Sequence, residues 1–347
     1  MNFQTLIKNN LYKRSLLSYL LLPISGVYTS VQIFRRKWYK TFPSKIYRSE
    51  YKIISIGNIV SGGSGKTPFT IFLTKYLTQK GFSVAISHRG YKGKFEKENK
   101  LISNKKEVFD FAQDAGDEAF LLATKLDGIP IVVGKNRSLS IEILTHRFPE
   151  LDYIILDDSF QNLKIHHYLD IVVFNQIGGI GNGWVLPSGI LRESLSALRY
   201  TDIIVFNGTG KVPSELEKAQ KPILKGSYII TRVLSFTKKM IQLKDLKGKK
   251  IILLSGIGLP QSFEETVKRI GIKFTKHICL PDHFSYENNK IFAELQNLVV
   301  KENINFILTT EKDFSKIQYK NRLNLPFIII EIEFQLENEE LLNHFLL

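Results

Sequence analysis

Short apolar runs bounded by turn residues recur along the middle of the chain and read as strands buried on both faces of a sheet. They fall at 52–56, 83–86, 131–133, 153–156, 171–174 and 202–206, with stretches of helical spacing between several of them. Strand and helix alternating in this way predict an α/β fold, a three-layer core from about residue 49 to 225. Pro213 and the lysine-rich stretch 209–226 mark its end. Beyond it the pattern predicts strands at 227–233 and 249–254, a helix over 261–270, a strand over 273–279, a helix over 287–300, and strands at 304–308 and 327–333. That makes a smaller C-terminal α/β domain over 226–347.

The opening segment, 1–48, follows another rule. No charged residue occurs from Ser15 to Phe34, barely the ~20 residues a bilayer crossing needs. Pro23 and Gly26 interrupt the run, and basic groups flank both ends, so no charge asymmetry orients it across a membrane. Leu17, Leu20, Leu21, Ile24, Val27, Tyr28 and Val31 share one broad helical face, opposite Ser18, Ser25, Thr29 and Gln32. With Trp38 and Tyr39 beside the cations, this predicts an N-terminal amphipathic helix on an anionic membrane surface. The competing expectation is a helix packed on the protein's own core. No small-residue cleavage site follows a short apolar stretch, which argues against a removable secretion signal.

Composition sharpens this picture. At 347 residues, 44% hydrophobic and 23% charged, the chain has the make-up of a globular protein, excluding fibrous or disordered architectures. A formal charge of +15 invites a nucleic-acid reading, but Lys8, Lys13, Arg14, Arg35, Arg36, Lys37, Lys40, Lys45 and Arg48, set against Glu50 alone, supply +8 of it. The excess is a local arm around an apolar helix, so no nucleic-acid partner is expected. A single cysteine, Cys279, excludes an internal disulfide framework and fits a reducing compartment.

The most specific chemistry follows the first strand. Lys52–Ile56 ends at Gly57-Asn58; Val60-Ser61-Gly62-Gly63-Ser64-Gly65-Lys66-Thr67 comes next; then Phe69, Phe72, Leu73, Tyr76 and Leu77 recur at helical spacing. Strand, glycine loop and helix in that order are the context of a P-loop, as in nucleoside triphosphate hydrolases. Its backbone N–H groups cradle phosphates, Lys66 reaches the outer ones, and Thr67 offers a hydroxyl to Mg²⁺. Val60 stands where the strict pattern asks for glycine. A second apolar run, Tyr153–Leu156, ends in Asp157-Asp158, carboxylates suited to Mg²⁺; either could hold it directly or through water. Arg192 and Glu193 after a Pro/Gly loop, Arg89 and Tyr91 after the second strand, and Gln161 near the carboxylates are substrate-side candidates. Asp117 is the candidate base for a hydroxyl proton, or the N-cap of a helix from Glu118 onward.

Further segments complete a pattern: Ser87-His88-Arg89-Gly90-Tyr91-Lys92-Gly93, Gly116-Asp117-Glu118-Ala119, Asp157-Asp158-Ser159-Phe160-Gln161, Leu186 to Glu193, Asp282-His283-Phe284-Ser285-Tyr286 and Thr310-Glu311-Lys312-Asp313. With the glycine loop, their order and spacing resemble the tetraacyldisaccharide 4′-kinase family from the apolar arm through residue 316. The resemblance implies transfer of the ATP γ-phosphate to the 4′-hydroxyl of a tetraacylated glucosamine disaccharide 1-phosphate, with Mg²⁺. It implies a peripheral or monotopic place at the cytoplasmic face of the bacterial inner membrane. It also assigns Asp117 as base and His283 as its partner, which puts one catalytic group in each domain and the active site in a cleft that closes. Departures are visible: Ser159 and Asn162 replace the family's glycine and histidine, Ala119 replaces proline, and His88 enlarges the usual Ser-Arg-Gly. Any role of that family histidine therefore does not carry over. The competing function is a P-loop switch or chaperone-type ATPase without a lipid product.

Overall fold

The computed structural model describes residues 11–287, 290–317 and 325–346. Residues 1–10 of the basic arm, Lys8 included, and 288–289 of the helix expected over 287–300 lie outside them. The chain forms two compact units, one of Met1–Ser227 with Leu336–Leu347, the other of Tyr228–Gln335. The last residues, expected in the second domain, thus rejoin the first.

The first unit runs α1 (Leu16–Leu20), α2 (Leu22–Thr41), β1 (Lys52–Gly57), α3 (Lys66–Gln79), β2 (Val84–His88), β3 (Lys100–Ser103), α4 (Asp117–Lys125), β4 (Ile131–Val133), α5 (Arg137–Arg147), β5 (Tyr153–Asp157), β6 (Leu169–Asn175), β7 (Ile203–Asn207) and the start of β8 (Ile223–Ser235). Its sheet order is β8-β7-β6-β1-β5-β2-β4-β3. Every registered pair there is parallel except the edge strand β3 on β4. The central strands are buried along nearly their whole length, so they read as unbroken β-branched runs rather than alternations. Each Ile or Val so buried contributes about 1.5–3 kcal/mol. β1 lies beside β5 with Ile56 opposite Asp157. The glycine loop after β1 and the carboxylates after β5 therefore leave the sheet at the same edge, where open α/β sheets place their ligands.

The N-terminal helices sit with their polar side turned inward. Ser15 and Ser18 form a capping box at α1, and Pro23 occupies the first turn of α2, where its missing N–H costs nothing. Ser25 is buried; its Oγ lies 2.9 Å from Val185 O and 2.8 Å from Ser188 Oγ, and it accepts from the Ser188 N–H at 3.0 Å. The apolar residues face the other way: Leu20, Ile24, Val27, Val31 and Phe34 are 67, 57, 67, 51 and 64% exposed. That stripe does not pack on the protein's own core: among the described residues, Tyr28 alone of the predicted apolar face joins a core cluster. Among the described residues no helix is long and apolar enough to cross a membrane.

The second unit contains the rest of β8, then β9 (Ile251–Ser255), α6 (Pro260–Arg269), β10 (Lys276–Cys279), α7 (Lys290–Glu302), β11 (Phe306–Thr310), α8 (Glu311–Ile317) and β12 (Phe327–Leu336). Its order is β10-β9-β11-β12-β8. Ile251 and Leu253 cluster with Phe263 and Val267 of α6; Ile252 and Leu254 cluster with Phe292 and Leu295 of α7. Alternate side chains of one strand thus serve two faces. A last helix, α9 (Glu340–Leu346), belongs to the first unit.

Candidate active site

Gly62 and Gly65 of the glycine loop take φ of +108° and +90°, which a side chain would strain. Gly65 caps α3, so the first N–H groups of the helix open toward the loop. Val60 is 6% exposed and bridges Leu191, while the Ser61 N–H donates to Ile190 O at 2.8 Å. The residue that replaces the consensus glycine is a hydrophobic seat that fastens the loop onto the segment 190–191. Inside the loop, Asn58 Nδ2 donates to Ser64 Oγ at 2.9 Å.

The two aspartates differ sharply in surroundings. Asp157 is buried; its Oδ2 accepts from Thr67 Oγ1 at 3.3 Å, and its Oδ1 has no hydrogen-bond partner. Burial pushes its pKa up, with His88 acting in the opposite direction. Asp158 sits at φ +55° with its Oδ1 3.4 Å from Lys66 Nζ and 3.2 Å from Arg192 Nη1. Burial works to raise its pKa, but Lys66 and Arg192 outweigh it and hold the group at about 2. Arg192 Nη1 also donates to Asn58 Oδ1 at 3.0 Å, and Gln161 Nε2 donates to Asn58 O at 2.8 Å. Lys66, Thr67, Asp157, Asp158, Gln161 and Arg192 therefore converge on one corner.

Two further residues, His88 and Arg137, line it that sequence reasoning did not place in the site. His88 is buried; its Nδ1 accepts from the Gly90 N–H at 2.9 Å, and its Nε2 lies 3.6 Å from Glu118 Oε2 and 4.0 Å from Asp157 Oδ2. The insertion noted at His88 is thus a wedge between α4 and the β5 carboxylate. Arg137 is buried, with Nη1 on Ser87 Oγ at 2.9 Å and Nη2 on Asp157 O. Burial lowers its pKa to about 10 against the pull of Asp157 and Asp158. Arg137 follows β4 by four residues, and that strand-end position was the signal available for it.

Gly116, at φ +97°, holds the N-cap position of α4 without a side-chain cap bond, so Asp117 opens the first turn rather than capping it. The Arg89–Gly93 turn lies directly against this corner: a Cβ on Gly93 would come within 2.3 Å of Ala115 O. Tyr91 is exposed, and Arg89 Nε pairs with Glu96 Oε1 at 2.9 Å. Glu193 is 3% exposed and takes two hydrogen bonds from Arg36. His283 belongs to the second unit, at φ +61° in the loop after β10, with its N–H on Asp282 Oδ1 at 3.0 Å. In that unit the buried Asp313 accepts from the Gly256 N–H and from Tyr286 Oη at 3.0 Å, and burial pushes its pKa up.

Residues 17–347 match the family model described as Tetraacyldisaccharide-1-P 4′-kinase. The chain is 32% identical over 314 residues to the tetraacyldisaccharide 4′-kinase of Pelobacter propionicus, covering 89% of this chain and 86% of that one. It is 33% identical over 312 residues to that of Ruthia magnifica, covering 90% and 92%. The crystal structure of the "apo" form of LpxK from Aquifex aeolicus in complex with ATP is similar, with a TM-score of 0.74 and 29% identity over 95% of this chain and 98% of that one.

Proposed function

The chain belongs to the tetraacyldisaccharide-1-P 4′-kinase family, and from that premise we propose that it transfers the γ-phosphate of ATP to the 4′-hydroxyl of a tetraacylated glucosamine disaccharide 1-phosphate. The product is the 1,4′-bisphosphorylated precursor of lipid A. The observation that carries this reading is the convergence of Lys66, Thr67, Asp157, Asp158 and Arg192 at the mouth of the glycine loop.

Phosphoryl transfer asks the protein for position and charge rather than covalent chemistry. Backbone N–H groups of the loop and Lys66 hold the phosphates. Arg192, a planar fork, balances the charge that spreads over the transferring group. The 4′-oxygen bonds to the γ-phosphorus as the bond from phosphorus to the β–γ bridging oxygen breaks and ADP leaves. The hydroxyl proton passes to Asp117, with His283 as its assigned partner. Arg89, Tyr91 and Gln161 are the side chains proposed to meet the acceptor.

Thr67 Oγ1 and Asp157, whose Oδ1 is buried without a partner, form a hard-oxygen donor set that fits Mg²⁺. Among the described residues no group of three or more His, Cys, Asp or Glu converges as a metal cage, which agrees with a cation that takes most of its shell from phosphates and water. When bound, Mg²⁺ would neutralise charge on the β- and γ-phosphates.

We place the protein at the cytoplasmic face of the inner membrane, resting on anionic lipid through residues 1–48. The outward apolar stripe of α1 and α2, with exposed Arg35, Lys37 and Lys40 beside Trp38, supports this. The test is transfer of labelled γ-phosphate from Mg-ATP to tetraacyl disaccharide 1-phosphate in detergent micelles. Wild type should yield labelled lipid, and Lys66→Ala, Asp117→Ala and His283→Ala should lose it. ATP hydrolysis without a lipid product would instead favour the switch ATPase.

A further inference from the structure

Arg36 projects from α2 on the side away from the apolar stripe, and its guanidinium is enclosed by the loops of the active site. Nε and Nη2 donate to the two carboxylate oxygens of Glu193 at 2.6 and 3.0 Å. The side chains are only 10% and 4% exposed. The guanidinium lies 4.6 Å from the Phe160 ring centroid and 4.9 Å from that of Tyr200, and Nη2 reaches Phe160 O at 3.4 Å. A two-pronged arginine–carboxylate contact fixes angle as well as distance.

What it grips is specific. Glu193 adjoins Arg192, whose Nη1 donates to Asn58 Oδ1 and Asp158 Oδ1. Phe160 lies two residues beyond Asp158 on the other arm. One guanidinium therefore clamps both segments that deliver the Asp158–Arg192 pair. About three turns earlier, Ser25 pins the same helix to Val185 O and Ser188.

We infer that Arg36 is a positioning residue for phosphoryl transfer, holding Arg192 and Asp158 at their spacing over the glycine loop through Glu193 and Phe160. The helix that presents the apolar stripe is in this way also a brace of the catalytic corner. A buried ion pair is weak evidence for stability as such, because apolar replacements often serve folding equally well; its geometry speaks for placement. The inference rests on the proposed roles of Arg192 and Asp158.

Arg36→Met, Glu193→Met, their double variant and Arg36→Lys test it. The readouts are Tm, ATP affinity, kcat and KM for the micellar acceptor, and sedimentation with vesicles of phosphatidylglycerol and phosphatidylcholine. Each Met single leaves one charge buried and unpaired and lowers Tm; the double replaces the pair by apolar side chains and brings Tm back toward wild type. The expected result is a double variant with restored Tm whose kcat stays down by about 10- to 100-fold, the scale of a small misplacement of reacting groups. Its ATP affinity and vesicle binding should stay within about twofold of wild type, and its kcat should equal that of the worse single, as for residues acting in series. Arg36→Lys, which keeps the charge and loses the fork, should recover part of the rate. A double variant with both Tm and kcat restored overturns the inference. So do two kcat losses that multiply, because Glu193 would then act on substrate by itself. Arg192→Ala separates the layers: full transfer there refutes the underlying site, whereas an inactive Arg192→Ala beside a fully active double refutes only the brace.

Discussion

Replacing Val60 by glycine would restore the loop's consensus and should nevertheless harm the protein. Val60 is 6% exposed and packs with Ile59, Leu191 and their neighbours. Removing a buried valine side chain forfeits about 1.5–3 kcal/mol, and the added backbone freedom of glycine costs a further ~0.5–1 kcal/mol. The total, about 2–4 kcal/mol, corresponds to a fall in Tm of about 4–16 °C for a domain of this size. The loop glycines with positive φ, Gly62 and Gly65, are untouched, so their conformation gains nothing. The Val60–Leu191 bridge and the Ser61–Ile190 bond beside it lose their anchor, so ATP should bind equally or more weakly. Scanning calorimetry and ATP titration on Val60→Gly, with Val60→Ala between, would read both quantities. An unchanged Tm together with tighter ATP binding would refute the idea that this side chain seats the loop.

Two other outcomes follow from the same geometry. Asp158 has a folded pKa of about 2, below the ordinary 3.8, so the stability it contributes is complete above about pH 4 and is lost as pH falls through about 2. Acid unfolding followed by circular dichroism should therefore be flatter across that window in Asp158→Asn, and slopes identical to wild type would sink the assignment. Val31→Glu with Phe34→Glu places charge on the outward stripe; Tm should hardly change, since such surface substitutions usually stay within about 0.5 kcal/mol, while sedimentation with anionic vesicles drops several-fold. A Tm loss of many degrees would mean that the face is packed rather than free.

The parallel strands were legible because burial on both faces leaves an uninterrupted signature: the runs at 52–56, 131–133 and 153–156 coincide with β1, β4 and β5 to within a residue. The glycine loop was legible for the same local reason, since turn, phosphate cradle and helix start are contiguous. β3 was not, because Lys100–Ser103 is a four-residue antiparallel edge strand behind a charged turn, too short for any period to emerge. The amphipathic pattern of α2 identified two faces, but whether the apolar one is covered depends on hydrogen bonds such as Ser25 to Val185, made more than a hundred residues away. The pair Asp157-Asp158 likewise could not be told apart in sequence; only β5 running into a left-handed residue sends one toward Thr67 and the other toward Lys66 and Arg192. Arg137 and His88 act through the backbone carbonyl and carboxylate of a distant strand, a contact that no local spacing encodes.

The return of the chain's end to the first unit has a consequence for biosynthesis. Leu342 and Leu346 of α9 are buried, and the carbonyls of Glu339, Phe345 and Leu346 receive the hydroxyls of Tyr76, Tyr168 and Tyr153. A nascent chain has made β1 and β5 long before these partners exist, and a ribosome adding roughly 5–20 residues per second needs on the order of ten seconds more to deliver them. For that interval the first unit lacks these three contacts. Loss of residues 340–346 would accordingly remove a helix whose Leu346 carbonyl holds the side chain of Tyr153, the first residue of β5, the strand whose last residue is Asp157.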